Sequence, residues 1–174
     1  MFFLTGKKKK EKAKALSRAL DDTISAEKRF RPLANKHAQL IEKIGQTYMV
    51  AINLYDVNGP QMQKVIDLCL QDIALLPDYR NAYKQLCDYN NRYYQQNPIG
   101  NYQGVEYYPI DSWDSYRRLA IILEKQKQYK RALEVCEQAI NNGITKDGTT
   151  GGFVGRAAKL TRKMLNQNKR IGVE

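Results

Sequence analysis

Apolar positions along this chain recur every three to four residues, the spacing of one helix face, while alternating strand-like runs are missing. A first stretch, 7–24, sets Leu16, Leu20 and Ile24 four apart behind a lysine-rich outer face. From Leu33 the pattern strengthens through Leu40 or Ile41, Ile44, Tyr48, Ala51 or Ile52, and Tyr55. Pro32 suits a first helical turn, where its missing N–H costs nothing. Gly45 is either a tolerated interior glycine or a turn, and the reading favours two helices, 33–44 and 47–57. Asn58-Gly59-Pro60 stops and restarts the chain. The next helix, 61–76, carries Met62, Val65, Ile66, Cys69, Ile73 and Leu76 on one side; Pro77 is expected to end it and Asp78 to cap another over 79–95.

Between Gln96 and Ile110 the helical spacing stops at Asn97-Pro98, Gly100, Gly104 and Pro109, while Tyr102, Tyr107 and Tyr108 make the segment aromatic. A solvated linker has no use for three tyrosines, so this loop is expected to lie back on the helices as a lid or a plug. Asp111 or Ser112 then caps a helix over 112–126, followed by one over 129–142 that stops at Asn142-Gly143. A glycine-rich turn at 146–152 leads into a last helix, 153–168, with Phe153, Ala157, Leu160 and Met164 inside and Arg156, Lys159 and Lys163 on another face. The pattern predicts an all-α protein.

Length and charge sharpen that picture. The 174 residues suit one domain, 33–170, preceded by a basic helix or arm at 1–32. The formal net charge of +11 is uneven: residues 1–43 carry twelve basic and five acidic side chains, 148–174 carry six and one, and the stretch between is nearly neutral. Two basic ends flanking a neutral body keep a protein soluble and do not by themselves make a polyanion-binding face. No run approaches a membrane span, and Met1-Phe2-Phe3-Leu4 ahead of Lys7–Lys10 reverses the order of a secretory signal. Phe2 and Phe3 with those lysines leave weak contact with an anionic membrane as an alternative to a plain terminus. Cys69, Cys87 and Cys136 all fall on apolar helix faces without paired spacing, so they are expected buried and reduced, and the compartment expected is the cytoplasm.

Residues 113–144 carry a family resemblance. Tyr116, Leu119-Ala120, Leu123, Tyr129, Ala132, Cys136 and Ala139 match the spacing of a tetratricopeptide repeat, in which small residues such as Ala120 and Ala132 let paired helices approach closely. A partial second match starts at Pro77, and Tyr83 precedes Tyr116 by 33 residues, near the family period of about 34. The tyrosine loop occupies the place of that repeat's second helix, and residues 33–76 fit as degenerate hairpins. The resemblance implies a right-handed stack of antiparallel helical hairpins, an α-solenoid, with a capping C-terminal helix. It also implies a groove lined by Asn81, Lys84, Asp88 and Asn91 from one helix and Asp114, Arg117, Ile121 and Glu124 from another. Family members that clamp a peptide carboxylate do so with Lys, Asn and Arg donors. Lys84 and Arg118 stand at matching positions, but Asp88 and Asp114 replace donors and should repel a carboxylate.

Candidate chemistry adds little. His37 is the single histidine, which gives no metal cluster and no base for a Ser or Cys nucleophile. The turn at 148–155 lacks both the P-loop and the dinucleotide spacing; its glycines serve backbone angles. No catalytic residue, metal or cofactor is therefore expected. The function expected is a non-catalytic module that binds a protein or peptide partner in a helical groove. The alternative is nucleic-acid binding through the basic ends, with Lys7 to Lys14 and the Arg156, Lys159, Lys163 face on phosphates.

Overall fold

The computed structural model describes residues 6–55, 57–96 and 107–171, without the side chains of Lys7, Arg170 and Ile171. These residues are 84% helical and contain no strand; an isolated bridge joins Ser112 to Lys146. Five helices follow one another: α1 (Gly6–Asn53), α2 (Pro60–Gln96), α3 (Asp114–Lys125), α4 (Tyr129–Asn141) and α5 (Gly152–Ile171).

The first two helices correct the sequence expectation. Three helices expected over 7–24, 33–44 and 47–57 are one, α1, which runs through Pro32 and Gly45 and stops at Asn53. Likewise Pro77 does not end a helix and Asp78 does not cap one, because α2 passes through both. A proline inside a helix removes one backbone hydrogen bond and crowds the preceding turn, which costs about 3 kcal/mol. Buried positions on both sides of each proline offset this. On α1, Ala19, Ala26, Leu33, Leu40 and Thr47 recur at steps of seven, with Thr23, Phe30, His37, Ile44 and Ala51 between them, and all are buried or half-buried. That alternation of four and three is the seam of a helix packed lengthwise on another. Pro32 and Pro77 sit on exposed sides, and Gly45 has open space around it. Leu20 and Ile24, spaced by four in the sequence, are 42% and 41% exposed; the small Ala19 and Ala26 beside them face inward.

The chain gathers into two compact units, each built from two separate stretches. The first comprises the described residues within Met1–Lys36 and Leu76–Tyr108, so it holds the N-terminal part of α1 and the C-terminal part of α2. There Phe30 meets Tyr79 edge-on at 5.1 Å and Tyr83 at 5.6 Å. Tyr107 lies 5.5 Å from Tyr83, so this end of the aromatic loop does fold back on a helix, whereas Tyr108 is largely exposed. Tyr102 lies outside the described residues.

The second unit, His37–Leu75 with Pro109–Glu174, holds the rest of α1 and α2 together with α3, α4 and α5. Helix α3 packs on α4, and α4 on α5, in a succession compatible with a helical repeat-like fold. Tyr116, Leu119, Ala120, Leu123, Ala132, Cys136 and Ala139 are all buried here, with Ala120 and Ala132 fully so. Helix α3 begins two residues later than expected. Its N-cap is Trp113, extended at φ −150°, with no side chain capping the turn. The expected caps are used elsewhere: the Asp111 carbonyl accepts from the N–H groups of Thr145 and Lys146, and Ser112 bridges to Lys146. Past the end of helix α4, Gly143 takes a φ of +70°; its N–H reaches the Ile140 carbonyl and that of Ile144 reaches the Ala139 carbonyl.

Candidate functional site

Three side-chain clusters organise the second unit. The first centres on Asp72, a carboxylate in the middle of the apolar face of α2 and fully buried. Ser115 of α3 donates its hydroxyl to Asp72 Oδ2 at 2.7 Å, and His37 Nδ1 of α1 is hydrogen-bonded to Oδ1 at 2.7 Å. The imidazole stacks on Trp113, ring centroids 4.0 Å apart. One carboxylate thus ties three helices together, and its two oxygens are satisfied by partners fixed on rigid elements. The order is serine–aspartate–histidine. The hydroxyl is given to the carboxylate instead of the imidazole, and Ser115 is buried, so this arrangement does not activate a nucleophile. The sequence reading found in the lone His37 neither a metal cluster nor a base, and passed over Asp72. The signal was there: a lone acid among Cys69, Ile73 and Leu76 cannot be buried unpaired.

The second cluster joins residues that the sequence reading assigned to opposite roles. Asp147, in the glycine-rich turn, is buried and accepts from Thr149 N–H, Thr149 Oγ1 and Arg156 Nε at 3.0, 2.6 and 2.7 Å. Burial pushes its carboxyl up, but the hydrogen bonds from Thr149 and Arg156 outweigh this and hold it below its ordinary value. Arg156 also reaches Glu124 at 3.3 Å, and Lys163 reaches the other Glu124 oxygen at 2.7 Å. The Glu124 hydrogen bond and charge raise the Lys163 pKa. The groove candidate Glu124 and the anion-contact candidates Arg156 and Lys163 are therefore each other's partners. Lys159 stays exposed on α5. Gly148 and Gly152 shape the turn in front of this cluster with φ values of +78° and +53°.

The third cluster covers the start of α3. Asp114 accepts from Arg117 at 2.8 Å and from Arg118 at 3.5 Å, and the Arg118 guanidinium lies 4.7 Å over the ring of Tyr48. Ile121 is half-buried. The remaining groove candidates, Asn81, Lys84, Asp88 and Asn91, belong to the first unit, where Gln85 donates to the Asn81 side chain. Lys84 and Asp88 are exposed.

An opening lies on another side of α3. Ile66 and Leu70 of α2, Leu119 and Leu123 of α3, and Val135 of α4 line a half-open groove of about 160 Å³, rimmed by Arg131, Glu134 and Gln138. Ile66, Leu119 and Leu123 form a buried floor, while Leu70 is 48% exposed. A space of this order takes one benzene-sized apolar side chain. Sequence reasoning missed the groove because Leu119 and Leu123 read as ordinary core positions, and Leu70 stands outside the buried stripe of α2. The cysteines offer no reactive group. All three are free and buried, and burial pushes the thiols of Cys69 and Cys136 up to about 12 and about 11. Among the described residues no group of three or more His, Cys, Asp or Glu side chains is placed to hold a metal ion. None of the described helices is long and apolar enough to cross a membrane.

Comparison with protein-family models, with curated proteins and with solved structures finds no match to this chain.

Proposed function

We propose that this chain is a non-catalytic, tetratricopeptide-like interaction module that seats an apolar side chain of a protein partner in the groove among α2, α3 and α4. The observation that carries the reading is Leu70, half exposed beside a floor of Ile66, Leu119 and Leu123, with polar side chains only at the rim. An apolar floor with a polar rim is how grooves take the apolar face of an amphipathic helix. Asp72, Asp147, Glu124 and Asp114 around α3 each have partners within the chain, whereas this opening keeps an apolar wall partly exposed. The resemblance supplies the architecture, a helical hairpin stacked on its neighbours, and the cytoplasm remains the expected compartment.

Selection from displayed amphipathic helical peptides tests this reading. Peptides recovered on the intact chain should lose binding about tenfold or more on Leu70→Asp, because a charge replaces the apolar wall. Peptides that ignore Leu70→Asp but are lost on Lys84→Glu or Arg117→Glu would move the site to the sequence-predicted groove. The nucleic-acid alternative rests on the exposed run from Lys8 to Arg18 of α1, since Arg156 and Lys163 already serve Asp147 and Glu124. Its test is a salt titration against single-stranded and duplex oligonucleotides, where phosphate contacts show as a steep fall in affinity.

A further inference from the structure

The end of the second unit where two turns meet carries an apolar projection that neither the groove nor the polar clusters use. The end of α1 and the turn after it present Met49, Val50, Leu54 and Tyr55, which are 58%, 48%, 62% and 93% exposed. Met49 and Val50 lie in the last turns of α1, and Leu54, just past its end at Asn53, stands four residues after Val50 with its N–H on the Val50 carbonyl at 3.2 Å. Tyr55 takes a left-handed φ of +52°, uncommon for a bulky residue, and its N–H reaches the Ile52 carbonyl at 2.9 Å. The α3–α4 turn lies alongside: the Gln126 side chain donates to the Val57 carbonyl at 2.8 Å, and Lys125 Nζ reaches the Tyr48 hydroxyl at 3.3 Å. That second turn, 125–131, contains four cations and no acid, with Lys125, Lys127 and Lys130 exposed.

We propose that this end of the molecule docks on an anionic lipid bilayer, with Leu54, Tyr55 and the Met49–Val50 arc entering the interface and Lys125 and Lys127 on the headgroups. Three features select this occupant. The apolar residues project instead of lining a hollow, so they offer no enclosure for a partner's side chain but suit a soft surface they can enter. A tyrosine at an apolar tip places a ring at the boundary and a hydroxyl toward water, and lysines beside it extend their stems along the same surface. The cations then meet a negative leaflet, where each is attracted within a Debye length. A second copy of this chain is a poor match, because a two-fold contact brings the same patch, and hence the same lysines, face to face.

Co-sedimentation of the full chain with vesicles decides. The chain should bind phosphatidylcholine vesicles containing about a third phosphatidylserine, and bind neutral phosphatidylcholine at least about tenfold more weakly. The double variant Leu54→Glu, Tyr55→Glu should lose about tenfold or more, and Lys125→Glu with Lys127→Glu a similar factor. Circular dichroism confirms folding; all four side chains are exposed, and Tyr55→Trp adds an emission band that should shift to the blue only on anionic vesicles. Failure to bind either vesicle overturns the proposal. So does equal binding by the double variants, or binding lost on deleting residues 1–12, which moves the contact to the N-terminal phenylalanines. Concentration-dependent dimers abolished by Leu54→Glu, seen in sedimentation equilibrium without vesicles, would assign the patch to a second copy and overturn it as well.

Discussion

A methyl group at position 152 would sit 2.2 Å from the Thr145 carbonyl oxygen, a backbone atom that cannot move aside. With φ at +53° as well, only glycine fits the start of α5, where Phe153 N–H also donates to that same carbonyl. Gly152→Ala should therefore destabilise the protein by at least about 3 kcal/mol, lowering the melting temperature by roughly 6–12 °C in a thermal scan. Arg156 is the next residue on which much depends. Replacing it by methionine leaves Asp147 buried with the Thr149 bonds alone, and the expected loss is about 3–5 kcal/mol in urea denaturation. The pH dependence gives a sharper readout. Because the folded-state pKa of Asp147 lies below its ordinary value, its stabilisation is present above about pH 4 and is lost as pH falls through the lower folded value. Arg156→Met should flatten that acid limb; an unchanged acid limb would mean that Arg156 does not hold the carboxylate down.

Among the elements, α1 shows how packing overrides local breakers. A 48-residue helix containing Pro32 persists because its seam, repeating at four and three, is occupied on both sides of the proline by Phe30 and Leu33. Pro32 is exposed and makes no contribution a small helix former could not make. Pro32→Ala restores a backbone donor and removes a clash, offset by the greater freedom of the unfolded chain, so a net gain of about 1–2 kcal/mol is expected in denaturant unfolding. A variant that is destabilised instead would show that the helix uses the proline's geometry. Helix α3 combines both dependences, with one polar end fixed within the helix and the other from outside. Asp114 at its first turn is paired with the arginines one turn on, and Glu124 near its end is held by Arg156 and Lys163 of α5.

At the scale of the whole molecule, burial is uneven. Of the large side chains fully buried among the described residues, all except Leu76 belong to the second unit, among them Tyr116, Phe153, Ile44, Met62 and Leu160. Among the described residues, the first unit's other buried positions are small, Ala19, Ala26, Ala82 and Cys87, and its aromatic rings are half-buried apart from the exposed Tyr108. Local stability follows buried apolar contact, so amide exchange should be much slower in 40–51, 62–73 and 116–140 than in 8–26 and 82–94. Uniform protection measured by hydrogen-exchange mass spectrometry would contradict this. The net charge follows the same division, since the run of lysines lies on the thinly packed N-terminal part of α1, while Arg156 and Lys163 of α5 are paired with Asp147 and Glu124.

The helical class, the three-helix succession from Trp113 onward and the turn at Asn142-Gly143 are legible in the sequence, because periodicity and capping chemistry act within a few residues. The α3–α4 hairpin is legible for the same reason: Ala120 and Ala132 announce a close approach that the buried positions bear out. What Pro32, Gly45 and Pro77 do is not legible locally, since each signals a break that only burial on the opposite side of the helix can overrule. The pairing of Glu124 with Arg156 and Lys163 spans 32 and 39 residues, a separation at which sequence shows charges but not which of them meet. By itself the sequence determined where helices can form and which faces are apolar. Tertiary structure alone decided which breakers are tolerated, which charges are consumed inside, and which apolar residues remain for a partner, because each depends on what another part of the chain brings within a few ångströms.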